Sequence, residues 1–236
     1  NMKKSNGGVL GYCPNDTPNN MVSLQFVNCY FEDNMVQEGY NGSALYIKSR
    51  LNPVLIDSCT FINKITNTAN YGGAIYIDDK TNKNVTIINC NFVQSKTTSK
   101  NKYSGNAIYI GYEVTDVYII GCCFNNCGGN GSAISFYGNR NIKKIGTSII
   151  IESCIFEENK IMNGSFIYFD GEFDYLLINR CIFDGLNGIE NGCLFLSIYS
   201  YTFTFTNNIL KNINSQVQSD CICKIDCHDL IQSFVV

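Results

Sequence analysis

"YGGAIYI", residues Tyr71–Ile77, decides how the chain is read, because near-copies of it return about once every thirty residues. "NGSALYI" stands at Asn41–Ile47, "SGNAIYI" at Ser104–Ile110, "NGSAISF" at Asn130–Phe136 and "NGSFIYF" at Asn163–Phe169. A second motif alternates with the first. It reads "FVNCYF" from Phe26, "IDSCTF" from Ile56, "IINCNF" from Ile87, "IIGCCF" from Ile119, "IESCIF" from Ile151 and "INRCIF" from Ile178. Its cysteines, Cys29, Cys59, Cys90, Cys122, Cys154 and Cys181, lie 30, 31, 32, 32 and 27 residues apart. A degenerate seventh copy, "FTNNIL", puts Asn208 in the cysteine position. Self-similarity at this period marks a solenoid.

Side-chain alternation supplies the unit. In "VTIINCNF", Val85 and Ile87 are in one phase and Cys90 and Phe92 in the other, so the chain must bend at Ile88–Asn89. The equivalents of Asn89 are mostly small and polar: Asn28, Ser58, Gly121 and Ser153. In "GGAIYI", Ile75 and Ile77 are expected inward, with Ala74 and Tyr76 on the outer face. Each unit thus predicts three short strands, and no helical period competes. The fold class that follows is all-β: a right-handed parallel β-helix (β-solenoid) of about seven turns, each of about 30 residues.

Composition narrows the function. Hydrophobic residues are 45% of the 236, enough for a core, and charged residues only 16%. A net charge of −3 gives no electrostatic basis for binding nucleic acid. No apolar run is long enough for a membrane helix, so no membrane insertion is expected of these residues. Thirteen cysteines point to an oxidising compartment, hence an extracellular or cell-surface setting. Sequons at Asn15, Asn41, Asn84, Asn130 and Asn163 are compatible with it. Residues 1–20 read as an N-terminal partial turn or cap and 21–236 as one β-helix domain. "GGVLGY" at Gly7–Tyr12 looks like the last strand of a turn and "LIQSFVV" at Leu230–Val236 like the start of another, so a longer array is expected.

Several groups of residues are candidates for chemistry. The six aligned cysteines are read as a structural, reduced ladder sharing its face with Phe31, Phe61, Phe92, Phe124, Phe156 and Phe183. Cys193 and Cys221, one turn apart, are candidates for a disulfide, as are Cys123 and Cys127 beside a short loop. "CICKIDCH", Cys221–His228, does not have a zinc spacing, and no metal or cofactor is expected. Asp57, Asp78, Glu152, Asp170 and Asp174 form no recurring column of paired carboxylates, which argues against an enzyme. Tyr46, Tyr76, Tyr109 and Tyr168 do form a column, interrupted by Ser135 and continued by Leu196, beside a shelf of Ala44, Ala74, Ala107 and Ala133. If uncovered, this aromatic stripe is the expected partner-binding surface. Two loops are further candidates, one with Lys96, Lys100 and Lys102, the other with Arg140, Lys143 and Lys144.

The repeats resemble those of polymorphic outer membrane proteins, which combine "GGAI", here Gly72–Ile75, with "F-x-x-N", here "FEDN" at Phe31–Asn34 and "FEEN" at Phe156–Asn159. The Asn-, Tyr- and Cys-rich repeat style is also similar to that of scaffoldins in anaerobic fungal cellulosomes, whose cohesin modules hold enzymes through small dockerin domains. That resemblance implies a non-catalytic scaffold with a protein partner. The first implies a surface adhesin binding host protein or glycan. A polysaccharide lyase or hydrolase is the third expectation.

Overall fold

A computed structural model of the chain describes residues 7–12, 22–48, 51–63, 69–78, 84–97, 104–111, 114–129, 131–137, 147–157, 165–185, 187–188, 194–215, 223–225 and 234–235. Every regular element among them is a β-strand, and strands one turn apart pair in parallel. The fold is a parallel β-solenoid with three strand rows. The tyrosine row stacks Leu10–Tyr12, Leu45–Ile47, Ile75–Ile77, Ile108–Gly111 and Ile134–Tyr137. The aliphatic row stacks Val22–Val27, Leu51–Asp57, Val85–Ile88, Asp116–Ile120 and Ser148–Glu152. The phenylalanine row is a separate seven-stranded sheet, from Tyr30–Glu32 to Ile209–Lys211. Strand Ile167–Asn179 runs unbroken through the first two rows and joins them into one sheet, as does Leu194–Thr206 above it. The short 27-residue spacing between Cys154 and Cys181 falls in this turn, where strand replaces the loop.

The bend between the aliphatic and phenylalanine rows recurs in every turn. Asn28, Ser58, Asn89, Gly121, Ser153, Arg180 and Asn207 all have φ between 52° and 63°. Asn and Gly tolerate this left-handed conformation best, which explains their frequency there. The bend does not interrupt the ladder: the Asn89 N–H donates to the Ile120 carbonyl at 2.9 Å and the Gly121 N–H to the Glu152 carbonyl at 2.9 Å.

Inside, like residues stack on like. Phe31, Phe61, Phe92, Phe124, Phe156 and Phe183 form a continuous pile with ring centroids 4.7–4.9 Å apart and planes within 8°. The cysteine ladder runs beside it as free thiols. Each ladder thiol from Cys59 to Cys181 donates to two carbonyls, one two residues earlier and one in the preceding turn. For Cys90 these are Ile88 at 3.2 Å and Ile56 at 3.4 Å. The sulfur also accepts, since the Cys59 N–H points at Cys90 Sγ at 3.4 Å. Asn208 reproduces both roles with an amide: Nδ2 donates to the Ile178 carbonyl at 3.0 Å and Oδ1 accepts the Cys181 N–H at 2.8 Å.

One expectation is corrected here. The alanines do not form an outer shelf; Ala44, Ala74, Ala107 and Ala133 belong to the main core. Gly42, Gly72 and Gly105, with φ of 63°, 62° and 56°, turn the chain just before them. Two successive residues then face inward, and the N–H groups of both Ala74 and Ile75 donate to the Ala107 carbonyl. Phe166, the next residue in this column, extends into the core and lies 5.5 Å from the Phe183 ring.

Candidate functional site

The tyrosines occupy the column expected of them, but it is not open. Tyr46 pairs in register with Tyr76, and Tyr76 with Tyr109; Ser135 and then Tyr168 follow. The column continues to Phe195, not Leu196, because the register sets Tyr168 opposite Phe195. The three adjacent rings stack at 5.0 and 4.9 Å and form their own cluster apart from the main core. Tyr46, Tyr76 and Tyr109 are each only 8% exposed and Tyr168 is 1% exposed. Stacking hides both faces of the middle ring, Tyr76, and Tyr71 leans on Tyr109 at 5.1 Å. The expected uncovered contact stripe is thus a second, closed core.

Its polar tips are held internally. The Tyr76 hydroxyl donates to Asp78 Oδ2 at 2.8 Å, and Tyr168 makes the same contact to Asp170 at 3.3 Å. Burial, and then the Asp78 carboxylate, push the Tyr76 hydroxyl well above the ordinary phenol range. Asp78 lies against Gly111 one turn on, where a Cβ would meet its carboxylate. Ser135 is fully buried in the stack, and its Oγ has no hydrogen-bond partner.

A partly open apolar surface lies on the aliphatic row. Its inward residues, among them Val85, Ile87, Val117, Ile119, Ile149 and Ile151, fill the core. Its outward residues form two columns. One runs Leu55, Thr86, Tyr118, Ile150, Leu177 and the other Asp57, Ile88, Ile120, Glu152, Asn179. Leu55, Ile88, Tyr118, Ile120, Ile150 and Leu177 are all partly exposed. Tyr175, in the adjoining outward column of the same row with Asp116 and Ser148, is 36% exposed. From Leu55 to Leu177 the strip crosses four strand spacings, about 19 Å at the usual interstrand distance. Its rim is acidic, with Asp57, Asp116 and Glu152; the one described cation beside them, Arg180, sits 3.7 Å from Glu152. Parallel sheets are ordinarily covered on both faces, so a partly open apolar face of this kind is a surface that a partner can cover.

The residues of this strip are not among the binding candidates of the sequence, where the tyrosine column is the more conspicuous pattern. The signal was present. "DVYII", "SIIIE" and "YLLIN" are apolar in both phases of the strand, the pattern of strands buried on two sides.

The remaining candidates are scattered. Neither Cys123 nor Cys127 is in a disulfide, so the candidate bridge between them is not made; Cys127 donates to the Phe92 carbonyl at 3.3 Å. Lys96 is exposed, whereas Lys100, Lys102, Arg140, Lys143 and Lys144 lie outside the described residues, as do Cys193 and Cys221. Of "CICKIDCH", only Cys223–Ile225 is described, as a short strand. The carboxylates are not gathered: Asp57 and Glu152 are separated in their column by Ile88 and Ile120, and Asp174 accepts the Thr147 N–H at 2.9 Å. Among the described residues, no three His, Cys, Asp or Glu side chains meet to hold a metal ion, and no helix is long and apolar enough to cross a membrane.

A scan against protein-family models, a search of curated proteins and a search of solved structures each find no match.

Proposed function

We propose that this chain is a non-catalytic, extracellular docking module that holds a small folded domain carried by secreted proteins, in the manner of the cohesin repeats it resembles. The observation that supports this reading is the partly open aliphatic strip centred on Tyr118 and Ile150. Its acidic rim suits a partner whose apolar patch is bordered by Lys or Arg. Tyr46, Tyr76 and Tyr109, stacked and closed over, and Tyr168, buried beyond Ser135, serve the rod's own packing in this reading rather than the contact. Buried thiols also fit an oxidising setting, since a thiol without solvent access is slow to oxidise.

The test is capture followed by dissection. The immobilised protein is exposed to secreted proteins of its source, and retained proteins are compared for a shared small module. That module, produced alone, is titrated against the wild type and against Ile150→Asp with Leu177→Asp. Both changes are outward but set two carboxylates opposite each other on neighbouring strands, which lowers the melting temperature, so circular dichroism checks that the variant is folded at the temperature of the titration. Binding that falls at least about tenfold, the order expected from desolvating two central contacts, supports the reading. Unchanged binding overturns the strip, and the absence of any shared module overturns docking itself.

A further inference from the structure

Five sequons occur in the chain, and the fold treats the two described ones differently. Asn84 is exposed at the start of strand Val85–Ile88. Val85 is buried in the core, while Thr86 lies in the outward column between Leu55 and Tyr118. Asn84 and the Thr86 side chain therefore bracket a residue anchored inward, with the acceptor at the surface. Its backbone is fixed, because the Asn84 carbonyl accepts the Val54 N–H at 3.2 Å. Asn41 is placed otherwise. Its Oδ1 accepts the Tyr71 N–H at 3.2 Å, and the hydroxyl-bearing residue of its sequon, Ser43, is fully buried with Oγ on the Gly73 carbonyl.

We infer that Asn84 is an acceptor for an N-linked oligosaccharide and that Asn41 is not. The inference rests on the extracellular reading above, since the donor is met only on the secretory route. The co-reactant is a lipid-diphosphate-linked oligosaccharide. Asn84 Nδ2 forms a bond to the sugar C1, the C1–O bond to the diphosphate breaks, the lipid diphosphate leaves and the amide gives up one proton to base. The glycan would stand one outward column from the aliphatic strip, level with Asp116, Ser148 and Tyr175, and would border the docking surface on that side.

The full chain is directed through a eukaryotic secretory pathway by an added leader, and each sequon is read by peptide mass spectrometry after enzymatic deglycosylation, which converts an occupied Asn to Asp. The expected result is conversion at Asn84, none at Asn41, and loss of one glycan's mobility shift in both Asn84→Asp and Thr86→Val. Thr86→Val removes the sequon while keeping a strand-favouring residue, so it separates loss of the site from loss of the fold. A bare Asn84 in secreted, folded protein overturns the inference, as does an occupied Asn41. The added leader makes this outcome independent of where the protein resides naturally. The extracellular reading is tested separately, by finding whether the native protein is in the medium or in the cells.

Discussion

Removing one ring from the middle of the phenylalanine pile should cost more than removing the ring at its end. Phe124 is fully buried and stacked on both sides, with Phe92 at 4.9 Å and Phe156 at 4.8 Å. Phe31 is 8% exposed and has one stacked neighbour, Phe61 at 4.7 Å, with Phe26 edge-on at 6.1 Å. Truncating a buried Phe to Ala costs about 3–5 kcal/mol, and an aromatic pair adds about 0.5–1.5 kcal/mol beyond the area it buries. Phe124→Ala should therefore fall near 5 kcal/mol and Phe31→Ala near 3 kcal/mol, a gap of about 2 kcal/mol. At a urea slope of about 2–3 kcal/mol/M, the two midpoints should differ by about 0.7–1 M. Phe124→Leu, which keeps most of the volume, provides a folded reference should the alanine variant fail to fold. Contacts in a solenoid run between adjacent turns, so lost amide protection should centre on Asn91–Val93, Cys123–Asn125 and Ile155–Glu157 and spare Ile209–Lys211. Equal midpoint shifts at Phe124 and Phe31, or lost protection spread evenly over the rod, would refute the reasoning.

Burial raises the Cys127 thiol from 9.0 to about 12, so the folded chain keeps a proton that the unfolded chain releases. Its contribution to stability is complete below about pH 9 and is lost as pH rises towards 12; melting temperatures measured from pH 7 to 11 should fall over the upper part of that range, and less in Cys127→Ala. Asn208→Ala orphans the Cys181 N–H and the Ile178 carbonyl and should cost about 1–3 kcal/mol in urea unfolding, whereas Asn208→Cys should recover most of that loss; no recovery would show that the amide and the thiol are not equivalent at this position.

The period, the bend and the inward phase of Phe92, Ile75 and Ile87 were all legible, because a solenoid repeats its own constraints in every turn. The left-handed residues were visible as a run of Asn, Ser and Gly at one position, although Arg180 adopts the same φ without resembling them. The orientation of Ala74 was not legible. A two-residue inward face arises from a kink at Gly72, and a strict alternation of two cannot express it. Nor was the burial of Tyr76, since a sequence shows which face a residue takes but not what closes over that face. The aliphatic strip was half legible: Ile150 and Tyr118 were plainly apolar in the outward phase, yet only the register shows that they adjoin.

The recurring bend also sets what kind of change the rod can absorb. Asn28, Ser58, Asn89, Gly121, Ser153, Arg180 and Asn207 share one left-handed φ, and the first six each donate their N–H to a carbonyl of the turn above. A chain cut before one of these residues and rejoined before the next would meet the same direction, the same bend and the same waiting partners. Whole turns can thus be added or deleted as interchangeable segments, lengthening or shortening the rod at about 4.8 Å a time. A single residue gained or lost inside a bend has no such escape, because it throws every side chain beyond it onto the opposite face of the strand.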